Sequence, residues 1–288
     1  MTTSYAAPKI TFSFSDLPLT RLHYVTCGEG EPLIMVPATI SRLSNWLPLA
    51  QFMGQRFKVH FFELPGHGKS AAFPVKFSSK LVAKTLENFI DQLGYSKVSI
   101  LGFSFGGILT LRALQYLQDR IDKVILISPC VSKKTILFSG PRLNMLRSAT
   151  AAMKNPRLQD LLVKMLHNES VGFQTAKAFR RIGSVEQTIP LEEILCRLPA
   201  ATLDVLIYQV NEILRAEFPL PEIPLHQKCY FMMSINDPVL DFQTTLDFLE
   251  GYFEKVLTER LTVPYHQPPE LPTFDELNRD YGQFLNLL

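Results

Sequence analysis

Short apolar segments alternate along the chain with segments of helical periodicity. Eight of the short segments are rich in β-branched and aromatic residues and predict strands at 10–14, 21–26, 32–36, 58–64, 97–103, 123–127, 228–233 and 258–263. The first two alternate apolar and polar residues, whereas several later ones are continuously apolar, which is typical of parallel strands covered on both faces. The pattern therefore predicts an α/β fold with a mostly parallel, doubly wound central sheet.

One connection between predicted strands is much longer than the others. Helices predicted at 81–93 and from about Gly106 are ordinary crossovers, but residues 131–225 separate two strands by 95 residues. Within this segment, the apolar residues of 157–167 are spaced so that they lie on one face of a helix, and those of 201–216 are spaced similarly. We therefore predict a catalytic core formed by 1–130 and 226–288, with 131–225 inserted as a helical cap.

Composition narrows the class of protein. The 288 residues carry a net charge of +2, which argues against a dedicated nucleic-acid binder. The four cysteines are far apart in sequence, which predicts buried reduced thiols and neither a disulfide scaffold nor a metal site. They are Cys27, Cys130, Cys196 and Cys229.

The N-terminus lacks the pattern of a secretory signal, and the uncharged run at 98–111 is too short to span a bilayer. We expect a cytoplasmic protein without a transmembrane segment.

The candidate nucleophile lies where a predicted strand turns into a helix. Gly102-Phe-Ser104-Phe-Gly106 follows the strand at 97–103 and precedes an apolar helix. A serine on such a sharp turn adopts a strained backbone, and the flanking glycines leave room for neighbouring chains. The helix N-terminus favours negative charge developing at this point. Ser104 is therefore a candidate nucleophile, and a purely structural turn serine is the alternative.

A nucleophilic serine needs a base and an orienting acid further along the chain. Asp237 directly follows the apolar run at 229–233, and His266 directly follows the predicted strand at 258–263. The three residues thus come in the order Ser, Asp, His, each beyond the carboxyl end of a strand, where α/β sheets build their sites. Asp241, four residues after Asp237, is a rival for the acid.

Taken together, these segments resemble the α/β-hydrolase fold family, in its capped serine hydrolase branch. The resemblance rests on the loop Glu63-Leu-Pro-Gly-His-Gly-Lys-Ser70, the turn at Ser104, the cap, Asp237, and His266 followed by Glu270-x-Pro272. It implies a catalytic triad of Ser104, Asp237 and His266 that cleaves a carboxylic ester or thioester without a metal or organic cofactor. The serine distinguishes the chain from the epoxide hydrolase and haloalkane dehalogenase branches, which have an aspartate there.

The same resemblance implies an oxyanion hole. One donor is the backbone N–H of Phe105, and by position the second is Thr39. Here the chain departs from the family, which commonly has His-Gly where this sequence has Pro37-Ala38, and proline has no N–H to donate. This departure keeps a non-catalytic, ligand-binding protein as an alternative, beside an acyltransferase or a carbon–carbon bond hydrolase or lyase.

Four further residues have structural interpretations beside possible roles in the site. We interpret Glu63 and His67 as structural residues of their loop, and Trp46 and Phe103 either as lining of the acyl pocket or as ordinary core.

The segment 131–181 holds ten basic residues against Asp160 and Glu169, a net charge of +8. This charge is either a solvated helical surface or a means of attracting an anionic substrate, an acidic carrier, a coenzyme A thioester or a membrane surface.

Overall fold

The computed structural model describes residues 6–40, 42–168, 170–183, 195–268, 270 and 272–288, with the backbone alone at 178–183. Within this part of the chain, one sheet has the strand order β1-β2-β4-β3-β5-β6-β7-β8. The strands are β1 Thr11–Leu17, β2 Thr20–Cys27, β3 Glu31–Val36, β4 Phe57–Phe62, β5 Val98–Phe103, β6 Ile121–Ile127, β7 Lys228–Ser234 and β8 Val256–Leu261. The β1–β2 and β2–β4 pairs are antiparallel and the other pairs are parallel.

The predicted fold class is confirmed. Every predicted strand is present, and no strand end differs from its prediction by more than three residues. All six residues of β5 are buried, which explains its continuous apolar character, because helices cover both faces of the sheet at this strand.

The helices were predicted less completely than the strands. They are α1 Leu43–Met53, α2 Ser79–Gln92, α3 Phe105–Leu117, α4 Gly140–Ala152, α5 Pro156–Leu166, α6 Gly172–Gly183, α7 Ala200–Ile213, α8 Phe242–Tyr252 and α9 Phe274–Leu287. Helices α1 and α9 pack on one face of the sheet, and α2, α3 and α8 pack on the other. The sequence analysis predicted α2, α3, α5 and α7 but not the remaining helices.

Helices α4 to α7 all come from the 131–225 segment. Leu166, Leu198 and Leu203 belong to a small apolar cluster of their own in this segment. The hydroxyl of Thr202 on α7 donates to the carbonyl of Gly66 in the core at 2.7 Å, and so ties this helical layer to the loop that follows β4. The division into core and cap domains is kept as a proposal.

The structure bears on the expectations about buried thiols and about a membrane-spanning segment. Cys27, Cys130 and Cys229 are buried and free, but Cys196 is only partly buried, so the prediction of four buried thiols was wrong for that residue. None of the helices described is both long enough and apolar enough to cross a bilayer.

Buried histidines make the stability of this fold depend on pH. Burial, and secondarily the charge of Lys58, lower the pKa of His60 to about 4. The unfolded chain takes up this proton near pH 6.5, so it binds more protons than the folded chain as the pH falls, and the fold is destabilised. We expect the free energy of unfolding to drop by about 1–3 kcal/mol between pH 7 and pH 4 through this group. Urea titrations at several pH values would measure the drop, and His60→Gln should reduce it; equal stability at both pH values would contradict the prediction.

Candidate active site

Ser104 lies between β5 and α3 in a strained backbone conformation. Its backbone angles, φ 52° and ψ −114°, fall outside the regions that residues other than glycine ordinarily adopt. A Cβ atom at Gly102 would lie 2.5 Å from the carbonyl oxygen of Gly106, and one at Gly106 would lie 2.7 Å from the carbonyl oxygen of Val36. Glycine is therefore required at both positions, as expected from the pattern around the serine.

The crowding at Gly106 leads to a stability prediction. Gly106→Ala forces a methyl group against the backbone of Val36 at the end of β3. Overpacking of this kind costs about 1–3 kcal/mol, and here it also displaces the loop that carries Thr39. Urea denaturation should show the loss of stability. Gly140→Ala is the matched control, because a Cβ there has no atom within 4 Å; equal stability of the two variants would contradict the prediction.

The three predicted triad residues form one chain of hydrogen bonds. His266 Nε2 lies 2.8 Å from Ser104 Oγ, and His266 Nδ1 lies 2.7 Å from Asp237 Oδ2. The other carboxylate oxygen of Asp237 accepts hydrogen bonds from the backbone N–H groups of Val239 and Leu240, at 2.8 and 3.0 Å. The Asp237 side chain is fully buried. A carboxylate held in this way orients the imidazole ring, with Nε2 directed at the serine.

Strand order explains why these residues meet. Ser104, Asp237 and His266 follow β5, β7 and β8, which are parallel strands whose carboxyl ends share one edge of the sheet. The rival acid Asp241 has a different role: it accepts hydrogen bonds from the backbone N–H and the hydroxyl of Thr244, at 2.8 and 2.5 Å, and caps α8. These bonds from the Thr244 side chain and backbone lower the pKa of Asp241.

The two predicted oxyanion-hole residues, Phe105 and Thr39, follow the ends of β5 and β3. Phe105 is the first residue of α3, whose first N–H groups have no partner within the helix. Thr39 follows β3 and borders the same cavity as Ser104. The next residue, Ile40, has a φ of 53°, which is a costly conformation for a β-branched side chain. The role of Phe105 and Thr39 as oxyanion donors stays a prediction.

The residues that we interpreted as structural are engaged away from the serine. Glu63 is buried; its Oε2 lies 2.9 Å from His23 Nδ1 and accepts a hydrogen bond from the backbone N–H of Lys69 at 2.7 Å. His67 is also buried, and its pKa is lowered to about 4, chiefly by burial. No hydrogen bond joins either residue to Ser104 or His266.

An apolar cavity of about 450 Å³ opens onto Ser104 and His266. Its walls come mainly from α4, α5 and α7, and no lysine, arginine, aspartate or glutamate is among the described residues that line it. Trp46 borders the cavity, whereas Phe103 packs against Trp46 and His266. The centre of the Phe103 ring lies 4.8 Å from the centre of the Trp46 ring and 5.7 Å from that of the His266 ring. Sequence reasoning missed the α4 wall, including Leu146 and Ala149, because the apolar residues of this helix do not concentrate on one face.

A second cavity, of about 690 Å³, shares Asn45, Trp46 and His266 with the first. It lies between α1 and α9 and is more polar, with Glu276 and Arg279 of α9 in its wall. Neither helix was predicted from the sequence, so nothing pointed to this cavity. Among the described residues, no group of histidine, cysteine, aspartate and glutamate side chains is arranged to hold a metal ion.

Comparison with known proteins agrees with this fold. The chain belongs to the α/β-hydrolase fold family, whose sequence model matches residues 31–190. A hydrolase of the α/β fold from Bacillus anthracis superposes with a TM-score of 0.65 at 19% identity, covering 96% of this chain and 98% of that one. The resemblance stated from the sequence is therefore confirmed at the level of the family.

Two curated relatives match shorter stretches. A soluble epoxide hydrolase from a Corynebacterium species is 25% identical over 107 residues, which are 37% of this chain and 37% of that protein. A pimeloyl-(acyl-carrier protein) methyl ester esterase from Nitrosomonas europaea is 25% identical over 118 residues, 40% of this chain and 45% of that protein. Both are hydrolases, and the matches span less than half the length of each relative.

Proposed function

We propose that the protein is a serine hydrolase that cleaves a carboxylic ester or thioester through an acyl-enzyme on Ser104. The observation that carries this proposal is the unbroken hydrogen-bonded chain from Ser104 Oγ through His266 to the buried carboxylate of Asp237. The strained backbone at Ser104 supports it, because such strain persists where the surrounding structure holds a side chain in place for function.

In the proposed reaction, Ser104 Oγ attacks the acyl carbonyl while His266 Nε2 takes the hydroxyl proton. His266 then donates this proton to the leaving alcohol or thiol as the carbon–heteroatom bond breaks, which leaves an ester on Ser104. Asp237 holds the ring tautomer and stabilises the imidazolium formed between these steps. The backbone N–H groups of Phe105 and Thr39 stabilise the oxyanion of each tetrahedral intermediate. Water activated by His266 then releases the acid.

The cavity indicates the kind of acyl group. Among the described residues, the wall consists largely of leucine, isoleucine and methionine side chains and contains no lysine, arginine, aspartate or glutamate, which favours an uncharged acyl chain or ring over a dicarboxylate. If the alcohol or thiol partner is coenzyme A or an acidic carrier protein, its charged part stays outside this cavity. The ester-cleaving activity in the name of the Nitrosomonas relative supports ester chemistry in this family.

A fluorophosphonate probe tests the proposed chemistry directly. The folded protein should be labelled on Ser104, and p-nitrophenyl butyrate should give p-nitrophenol and free butyrate. Transfer of the acyl group to an added alcohol or thiol in place of water would indicate an acyltransferase with the same triad. Tight ligand binding without labelling or turnover would instead indicate a non-catalytic binding protein.

The cavity makes a prediction about chain length. Leu206 of α7 lines the cavity, and Leu206→Trp adds an indole ring to this space. We expect kcat/KM for long-chain p-nitrophenyl esters to fall by at least about tenfold, which corresponds to losing the burial of two or so methylene groups. The acetate ester should be little affected, because its acyl group has only one methyl group to bury. A parallel loss on short and long esters would contradict this assignment of the acyl cavity.

A further inference from the structure

Helix α5 presents apolar side chains in two directions. Leu162 and Leu166 line the acyl cavity, whereas Leu158, Leu161 and Met165 are exposed. The three exposed residues are spaced i, i+3 and i+7, so they form one stripe along the outside of the helix. Leu161 retains 53% of its exposure, so the described fold leaves much of this stripe open to solvent.

The start of α6, close to the end of α5, adds two more exposed apolar residues. Gly172, the first residue of α6, packs directly against the carbonyl oxygen of Leu166 at the end of α5. The residues on either side of it, Val171 and Phe173, are both exposed, Phe173 to 53%. We call the five residues Leu158, Leu161, Met165, Val171 and Phe173 the outer cap face. Large apolar surfaces left exposed in this way mark sites of interaction.

Cations flank the outer cap face. At about 100° per residue, Arg157 and Lys164 lie along one edge of the α5 stripe, and Lys177 lies one turn after Phe173. Lys164 is paired with Asp160 at 2.6 Å, while Arg157 and Lys177 form no ion pair within the described residues. Of the basic segment predicted from the sequence, the side chains of Arg180 and Arg181, and the whole of Glu169, lie outside the described residues.

We propose that the outer cap face docks on an anionic lipid surface. Apolar side chains rimmed by lysine and arginine match the boundary between acyl chains and negatively charged headgroups. Each cation near such a surface strengthens binding, in addition to the burial of the apolar groups. A two-fold contact between copies of this chain would bring the same cations against each other, which disfavours a dimer through this face.

Docking has a consequence for the substrate, and this step rests on the function proposed above. Helix α5 would contact lipid through Leu158, Leu161 and Met165, while Leu162 and Leu166, further round the same helix, form part of the wall of the acyl cavity. An ester dissolved in the bilayer would then lie next to a helix that borders the cavity of Ser104. The structure thus assigns a lipid-soluble ester as the substrate class.

Binding to vesicles tests the docking independently of catalysis. Ser104→Ala protein should co-sediment with vesicles of phosphatidylcholine and phosphatidylglycerol at least about tenfold more strongly than with phosphatidylcholine alone. Leu161→Glu with Phe173→Glu should lower this binding by at least about tenfold, because it places two acids in the face. The matched control is Ile223→Glu with Tyr116→Glu, which makes the same charge change at two residues that are 77% and 57% exposed elsewhere. It should bind like the parent.

The outcomes separate the docking from the proposed function. Neither Leu161 nor Phe173 lines the acyl cavity, so in the otherwise wild-type chain their double variant should hydrolyse soluble p-nitrophenyl esters at the normal rate. Vesicle binding that is absent, or equal in the face and control variants, would overturn the docking and leave the esterase proposal standing. A wild-type dimer in sedimentation velocity that the face variant dissociates would assign the face to a second copy. Absence of fluorophosphonate labelling would overturn the proposed function alone.

Discussion

Ser104→Ala should lower kcat for ester hydrolysis by about 10⁴- to 10⁶-fold and abolish fluorophosphonate labelling. The substitution removes the only proposed nucleophile, and the oxyanion donors and binding cavity that remain support at most the residual rate enhancement of a triad without its serine. The methyl group of alanine fits the strained position no worse than the serine side chain, so the fold should be kept. Burst kinetics and intact-protein mass spectrometry with the probe would measure both effects.

The control for this variant is its affinity for substrate-like ligands. The apolar cavity is untouched by the change, so a long-chain acid or an uncleavable ether analogue should bind Ser104→Ala and the parent equally. Turnover in the alanine variant within an order of magnitude of the parent would show that another group carries the reaction. His266→Ala should cause a loss of similar size, because the triad residues act as a unit and their effects do not add.

How much of this site was predictable from the sequence depends on how local its determinants are. Ser104 was identified because strand, glycine, serine, glycine and helix follow each other within a dozen residues, and the steric reasons for the glycines are also local. Asp237 and His266 were identified because the ends of parallel strands meet at one sheet edge, so residues far apart in sequence share a predictable place.

The cavity walls were less predictable because they depend on packing between helices. Helix α4 distributes its apolar residues around its circumference, so no periodic signal marked it, although Leu146 and Ala149 line the cavity. The α5 pattern was recognised, but its apolar residues were assigned to a single face. In the structure they divide between the cavity and solvent, a division set by where α6 and α7 pack.

Asp237→Asn should lower kcat by about 10⁴-fold while leaving the fold intact. An asparagine keeps the oxygen that accepts from the N–H groups of Val239 and Leu240, but its amide donates a hydrogen bond to His266 Nδ1. The ring then carries its proton on Nε2, which faces Ser104, and it no longer accepts the serine proton. The loss should appear in kcat, with the affinity for an uncleavable ligand preserved.

Asp241 supplies the matched comparison, because it is an acid in the same loop with a different role. Asp241→Ala removes the N-cap of α8 and should lower the free energy of unfolding by about 1 kcal/mol, with kcat unchanged. The two variants therefore dissociate catalysis from stability: one loses rate and keeps its fold, and the other loses stability and keeps its rate. If Asp241→Ala lost the rate and Asp237→Asn retained it, the acid would have to be reassigned, and the 2.7 Å contact between Asp237 and His266 would be structural.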